Sequence, residues 1–200
     1  MQAPHMAFEH AVALTGGIAT GKSSAASIFE SMGWVIIDAD TIAHTVLDAQ
    51  HVQVVNLFGR ALVHDGHVDR PALGRIVFGD AEKRRQLEAL VHPRIYEAIR
   101  ARAVREDAHQ KPYLIDIPLF YERAAYPIER VVVVYAPRSL QKTRLMQREG
   151  LSEAEALQRL DAQMDIETKR RRATWVIDNR GDRTQLRKEC IRIATAIAKD

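Results

Sequence analysis

The stretch "LTGGIATGKSSA", Leu14 to Ala25, packs three glycines, one lysine and two adjacent serines behind a short apolar run. Gly16, Gly21, Lys22 and Ser23 fit the pattern G-x-x-x-x-G-K-[ST]. Val12 to Leu14 reads as a strand leading into it, and Ile28, Phe29 and Met32 behind it recur at helical spacing. That context is the one in which the pattern cradles phosphate. Glycines let successive backbone N–H groups converge on phosphate oxygens, and the helix N-terminus adds its partial positive charge. Gly17, Ile18, Ala19, Thr20, Gly21, Lys22, Ser23 and Ser24 are therefore expected to bind the nucleotide. Lys22 would reach the terminal phosphates, and the Ser23 hydroxyl would hold Mg²⁺. The pattern by itself identifies a nucleoside triphosphate site, which motors, GTPases and kinases share.

Working outward, the chain alternates. "WVIID" (Trp34 to Asp38), "YLIDIP" (Tyr113 to Pro118), "RVVVVYA" (Arg130 to Ala136) and "TWVIDN" (Thr174 to Asn179) read as further buried strands separated by helical segments. Between Val52 and Gly79 the signal weakens into short helical pieces. Leu87, Leu90, Val91, Ile95 and Ile99 then line one helical face, which Pro93 should kink or restart. "SEAE", Ser152 to Glu155, is a capping box, and the last helix carries Leu186, Cys190, Ile193 and Ile197 in register. The expectation is an α/β P-loop NTPase fold with a five-stranded parallel sheet flanked by helices.

Bulk properties narrow the class. At 200 residues, 46% hydrophobic and 28% charged, the chain suits one globular core and excludes disordered and fibrous classes. A net charge of +3 suits a small anionic ligand at least as well as nucleic acid. The lone Cys190 cannot form an intramolecular disulfide. The longest aliphatic run, Val131 to Val134, is too short for a bilayer, and no signal-peptide order is seen, so a cytoplasmic location without membrane contact is expected. "MQAPHM" at the start reads as a tail, native or left from expression.

Several side chains are candidates for chemistry. Asp38 and Asp40 close the second strand, and if the chain stays extended both carboxylates face one side, at the sheet end where ligands of parallel sheets gather. Either could orient a substrate hydroxyl or accept its proton, or could simply cap the helix near Thr41. Asp116, in a core strand, needs a partner or a metal; it could help hold Mg²⁺ or accept loop N–H groups. Arg144 and Arg148 share a helix face, with Arg159 and the run Lys169 to Arg172 further on. Arginines brought over a polyphosphate would neutralise it, although the run Lys169 to Arg172 reads more simply as a solvated face. His92 could touch substrate or be packed. No zinc spacing and no nucleophile elbow occur. "DNRG" at Asp178 to Gly181 lacks a following N-K-x-D, which argues against a GTPase. A small P-loop kinase remains.

The segments "ALTGGIATGKS", "VIIDADTIA", "ALVHPRI", "YLIDIPLFYE", "LMQREGLSEAEALQRLDAQM" and "ATWVIDNRGD", in that order, resemble the dephospho-coenzyme A kinase family from Ala11 to Ala198. The resemblance implies transfer of the ATP γ-phosphoryl, with Mg²⁺, to the ribose 3'-hydroxyl of dephospho-coenzyme A. That small molecule would be the partner, with no nucleic acid and a monomer or weak oligomer. It implies one P-loop kinase domain over 8–200: a nucleotide-binding core (about 8–51, 110–139 and 173–200), a helical acceptor-binding region (about 52–109) and a lid (about 140–172). It assigns Asp40 to the acceptor hydroxyl, His92 to the acceptor side, Arg148 to the phosphates, and the segment from Asn179 to Gly181 to the adenine. The catalytic set is then Asp40, Lys22 and Arg148, with Asp38, Asp116 and Arg144 also at the substrate and Ser23 and Asp116 at the metal. Two positions depart from the family: Ala19, where glycine is common, and Ser24, where threonine is. Ala19 restricts the backbone more than glycine would.

Overall fold

Ala11–Gly16 is buried at every position and forms β1. A run with no polar alternation needs cover on both faces, which a central parallel strand receives. The computed structural model describes residues 7–200, and the tail read from residues 1–6 lies outside them. After β1 come α1 (Lys22–Ser31), β2 (Ile36–Asp38), α2 (Ala39–Ala49), α3 (His51–Phe58), β3 (Val63–His64), β4 (His67–Val68), α4 (Arg70–Phe78) and α5 (Ala81–Asp107). The chain continues through β5 (Tyr113–Asp116), α6 (Phe120–Arg123), β6 (Val131–Tyr135), α7 (Arg138–Glu149), α8 (Glu153–Asp161), α9 (Ile166–Arg172), β7 (Trp175–Asp178) and α10 (Arg183–Ile197). Two compact units result: residues up to Ile37 together with Ala103–Asp200, and Asp38–Arg102.

The first unit is built on a five-stranded sheet of order β2-β5-β1-β6-β7. β1 pairs in parallel with β5, setting Leu14 opposite Asp116, and with β6, setting Gly16 opposite Val134. β7 extends the parallel sheet beyond β6. Alternate residues of neighbouring strands point to one face. Val12, Leu14, Leu114, Val132, Val134 and Ile177 thus meet Ile28 and Phe29 of α1 and Leu186, Cys190, Ile193 and Ile197 of α10 in one core cluster. Asp107, almost wholly buried, accepts the Phe8 N–H (2.8 Å) and the His10 N–H (2.9 Å), fastening the approach to β1.

The second unit has its own small core of Val54, Leu62, Val68 and Leu73, flanked by Leu47, Phe58, Leu87 and Leu90. Between its helices lies the antiparallel hairpin β3–β4, where short helical pieces are expected from sequence. Its turn, Asp65-Gly66, takes positive φ at both residues (50° and 79°), the signature of a tight hairpin whose twist matches its strands. Asp48, at the end of α2, accepts the Val68 N–H (3.0 Å) and pairs with His67 (3.1 Å). The Val68 hydrogen bond, more than the histidine, holds the Asp48 carboxyl below its ordinary range. Pro93 lies inside α5 without ending it.

One expectation is corrected here. The chain is not extended through Asp38 and Asp40: Asp38 accepts the Thr41 N–H (2.9 Å) as the N-cap of α2, and Asp40 lies in that helix's first turn. The two carboxylates therefore follow helical rather than strand geometry, because capping satisfies an N–H that an extended chain would leave open.

Candidate active site

β1 ends at Gly16 and α1 begins at Lys22, so the intervening loop must turn from strand to helix within five residues. Two glycines make this possible. A Cβ on Gly16 would stand 2.9 Å from the backbone oxygen of Val134 and 2.6 Å from Thr20 Oγ1. Gly21 has φ of 90°, and a Cβ there would meet Asn179 Nδ2 at 2.1 Å. That amide donates to the Thr20 carbonyl at 2.8 Å, so the residue that follows β7 helps shape the loop. Thr20, buried, donates both its N–H and its hydroxyl to the Gly17 carbonyl. Ala19 stands at φ 59°, in the left-handed region that L residues rarely enter.

α1 has no side-chain cap and no acid in its first turn. Its first N–H groups lack intrahelical partners, and the helix dipole places partial positive charge there, so the end is suited to an anion. In front of it opens a cavity of about 730 Å³ lined by Ala19, Gly21, Ser23, Arg144, Arg148 and Asn179, with Gly181 and Arg183 at its border. Arg144 Nη2 donates to the Asn179 carbonyl (3.0 Å), while its Nη1 is buried with no hydrogen-bond partner among the described residues. Arg148 is exposed and paired with Glu149 (2.6 Å), which also binds Arg159. Those hydrogen bonds, that from Arg148 foremost, hold Glu149 below the usual carboxylate range. Asn179 is buried, whereas Asp178 clasps Arg180, which lowers the Asp178 pKa.

Lys22 Nζ forms an ion pair with Asp116 Oδ1, and both side chains are largely buried. The core-strand carboxylate thus has a cationic partner, which satisfies the demand its burial makes. Ser23 Oγ and the Asp116 carboxylate are oxygen donors of the hard kind Mg²⁺ takes. Among the described residues no group of three or more histidine, cysteine or acidic side chains could hold a metal. A scant set of protein donors fits Mg²⁺, which usually keeps several waters and binds substrate phosphates as well.

The first unit therefore brings together the loop, Asp116, Arg144, Arg148, Asn179 and Gly181. Asp38, Asp40 and His92 belong to the second unit, and all three are exposed. His92 is thus not a packed core residue.

Sequence reasoning missed a set of side chains behind the loop. The Ile18 N–H is donated to Gln163 Oε1 (2.9 Å), so it is not free for a ligand in the cavity. Lys169, expected on a solvated face, is wholly buried; its Nζ donates to the Gly16 carbonyl (2.9 Å) and pairs with Glu122 (2.7 Å). Buried Ile166 three residues earlier marks the inner face of α9, a helical-period signal that could have found Lys169. Arg170 and Arg172 lie over the rings of Tyr135 and Tyr121, at 4.7 and 4.4 Å.

Residues 10–185 match the family model described as dephospho-CoA kinase. The dephospho-CoA kinase of Sulfurimonas denitrificans is 49% identical over 92% of this chain and 92% of its own length. That of Wolinella succinogenes is 45% identical over 96% of each. The solved structure of the dephospho-CoA kinase from Campylobacter jejuni superposes with a TM-score of 0.77 at 35% identity, covering 95% of this chain and 98% of that one. Loop, cavity, sheet order and these likenesses agree, and the chain belongs to the dephospho-CoA kinase family.

Proposed function

We propose that this chain transfers the γ-phosphoryl group of ATP to the ribose 3'-hydroxyl of dephospho-coenzyme A, giving coenzyme A and ADP, the final step of coenzyme A synthesis. The observation that carries the reading is the uncapped N-terminus of α1, with Lys22 at its first position, facing an arginine-lined cavity in a chain of this family. Loop amides and the helix end hold the phosphates, with Gly17, Ala19, Gly21, Ser23 and Ser24 forming the cradle, while Thr20, whose N–H and hydroxyl both go to the Gly17 carbonyl, braces the loop. Ile18 serves the loop's shape, since its N–H is committed to Gln163. Lys22 exchanges its bond to Asp116 for the β and γ phosphates. Arg144 and Arg148 add positive charge where the transferring group gathers negative charge. Ser23 and Asp116 would hold Mg²⁺, which would supply positive charge to offset the negative charge of the phosphates. Asn179 and Gly181 border the adenine.

Asp40 orients the acceptor hydroxyl and takes its proton, while Asp38 and His92 contact the acceptor. A weak base suffices because phosphoryl transfer passes through a loose transition state, in which positioning and charge neutralisation do most of the work. Residues 52–109 then form the acceptor-binding region and 140–172 the lid. The enzyme acts in the cytoplasm as a monomer or weak oligomer, with no nucleic-acid or membrane partner.

A coupled ADP-release assay with dephospho-coenzyme A beside a panel of nucleosides and nucleotides tests the acceptor: turnover should be confined to dephospho-coenzyme A. Asp40→Asn should cut kcat by about a hundredfold, the scale of a lost general base, while leaving ATP affinity near wild type. Equal losses in both would remove Asp40 from its role.

A further inference from the structure

We propose that Lys169, Glu122 and Gln163 form a clasp behind the phosphate loop that sets the direction of its amides, making Lys169 a positioning residue for ATP. The inference rests on the reading that Gly16 to Ser23 hold the ATP phosphates. Its basis is the way the loop's peptide planes are held. The Gly16 carbonyl and the Gly17 N–H belong to one planar peptide unit, so the Lys169 ammonium 2.9 Å from that carbonyl fixes the plane and polarises the N–H at its other end. Gln163 Oε1 takes the Ile18 N–H at 2.9 Å and holds the next plane. From the far side, Asn179 holds the Thr20 carbonyl at 2.8 Å. Between these anchors sits Ala19 at φ 59°, a conformation that persists only when its surroundings impose it.

The clasp is anchored in turn. Glu122 Oε1 accepts the Met164 N–H (3.1 Å) and pairs with Lys169 (2.7 Å), joining the chain after β5 to the start of α9. Its Oε2 is buried with no hydrogen-bond partner among the described residues. A wholly buried ammonium is costly unless it is paired and hydrogen-bonded, and Lys169 satisfies both conditions with the two groups that define the loop's back. A leucine or methionine would fill the same space without that cost, so a charge at this position points to work on the Gly16 carbonyl.

Lys169→Met alone would strand the Glu122 charge, so the test uses Lys169→Met/Glu122→Gln in the full-length enzyme. The double variant should raise KM for ATP by about tenfold, as expected for loss of a charge-assisted hydrogen bond, and leave KM for dephospho-coenzyme A within about twofold. An unchanged KM for ATP in a folded variant overturns the clasp, as does a fall in kcat with an equal rise in both KM values. Should the double variant fail to fold, Gln163→Leu, which buries no charge, is judged by the same split, with a rise of about threefold expected from loss of a neutral hydrogen bond. Lys22→Ala separates the two readings: if ATP still raises the melting temperature of that variant as it does the wild type, the phosphate-loop reading itself fails. If that stabilisation is lost while the clasp variants keep wild-type KM for ATP, the clasp alone is wrong.

Discussion

Ala19 is the residue at which local preference and loop shape conflict. Its φ of 59° costs an L residue about 1–2 kcal/mol, against the roughly 0.5–1 kcal/mol of extra chain entropy that glycine would lose on folding. Ala19→Gly should therefore stabilise the enzyme by up to about 1 kcal/mol, seen as a raised midpoint in urea unfolding; a lowered midpoint would mean that the alanine methyl makes contacts worth more than the strain. The turn from Gly16 to a helix opening at Lys22 was legible from its pattern, because the constraint that its glycines answer is local: a strand must pass into a helix within five residues. The buried partner of Asp116 was not legible. A charged residue in an apolar strand announces a need for compensation, and only the fold names Lys22, 94 positions away, as the residue that meets it.

At the scale of elements, apolar runs disclosed the five strands of the main sheet, and helical spacing disclosed the face of α10 that carries Cys190 into the core. Burial pushes the Cys190 thiol up to about 11, so this element keeps it protonated and inert. The hairpin β3–β4 went unread, although Asp65-Gly66 is a strong hairpin signal, because each of its strands is two residues long and shows no alternation. α10 is tied to β7 through Glu189, which accepts the Asp178 N–H (3.2 Å) and two bonds from Arg192, while Arg192 also donates to the Val176 carbonyl (2.9 Å). The Arg192 bonds, more than the Asp178 N–H, hold Glu189 below its ordinary value of 4.5. A depressed folded-state pKa adds stability above the unfolded-state value and loses it as pH falls through the folded one. Glu189→Gln should thus melt below wild type at neutral pH, with the gap closing on acidification below 4.5. A gap that held or widened in acid would remove the ion pair as its cause.

For the whole molecule, the charge distribution bears on whether nucleic acid is expected to bind. Net charge is only +3, and of the basic run Lys169 is buried while Arg170 and Arg172 lie over aromatic rings. No continuous basic stripe follows from that run. Filter binding at low salt should therefore retain neither DNA nor RNA, and salt-dependent retention would contradict this account. Among the described residues no helix is long and apolar enough to cross a membrane.

What the sequence by itself determined is what short range dictates: which segments are strands, where the phosphate loop begins, which helices carry an inner face, and through its ordered motifs the family. Tertiary structure alone decided which side chains stand behind that loop. Lys169 meets Gly16 across 153 positions and Gln163 meets Ile18 across 145. Periodicity shows that a helix has an inner face, but not which carbonyl that face will cover, since the partner is selected only when sheet and helices pack.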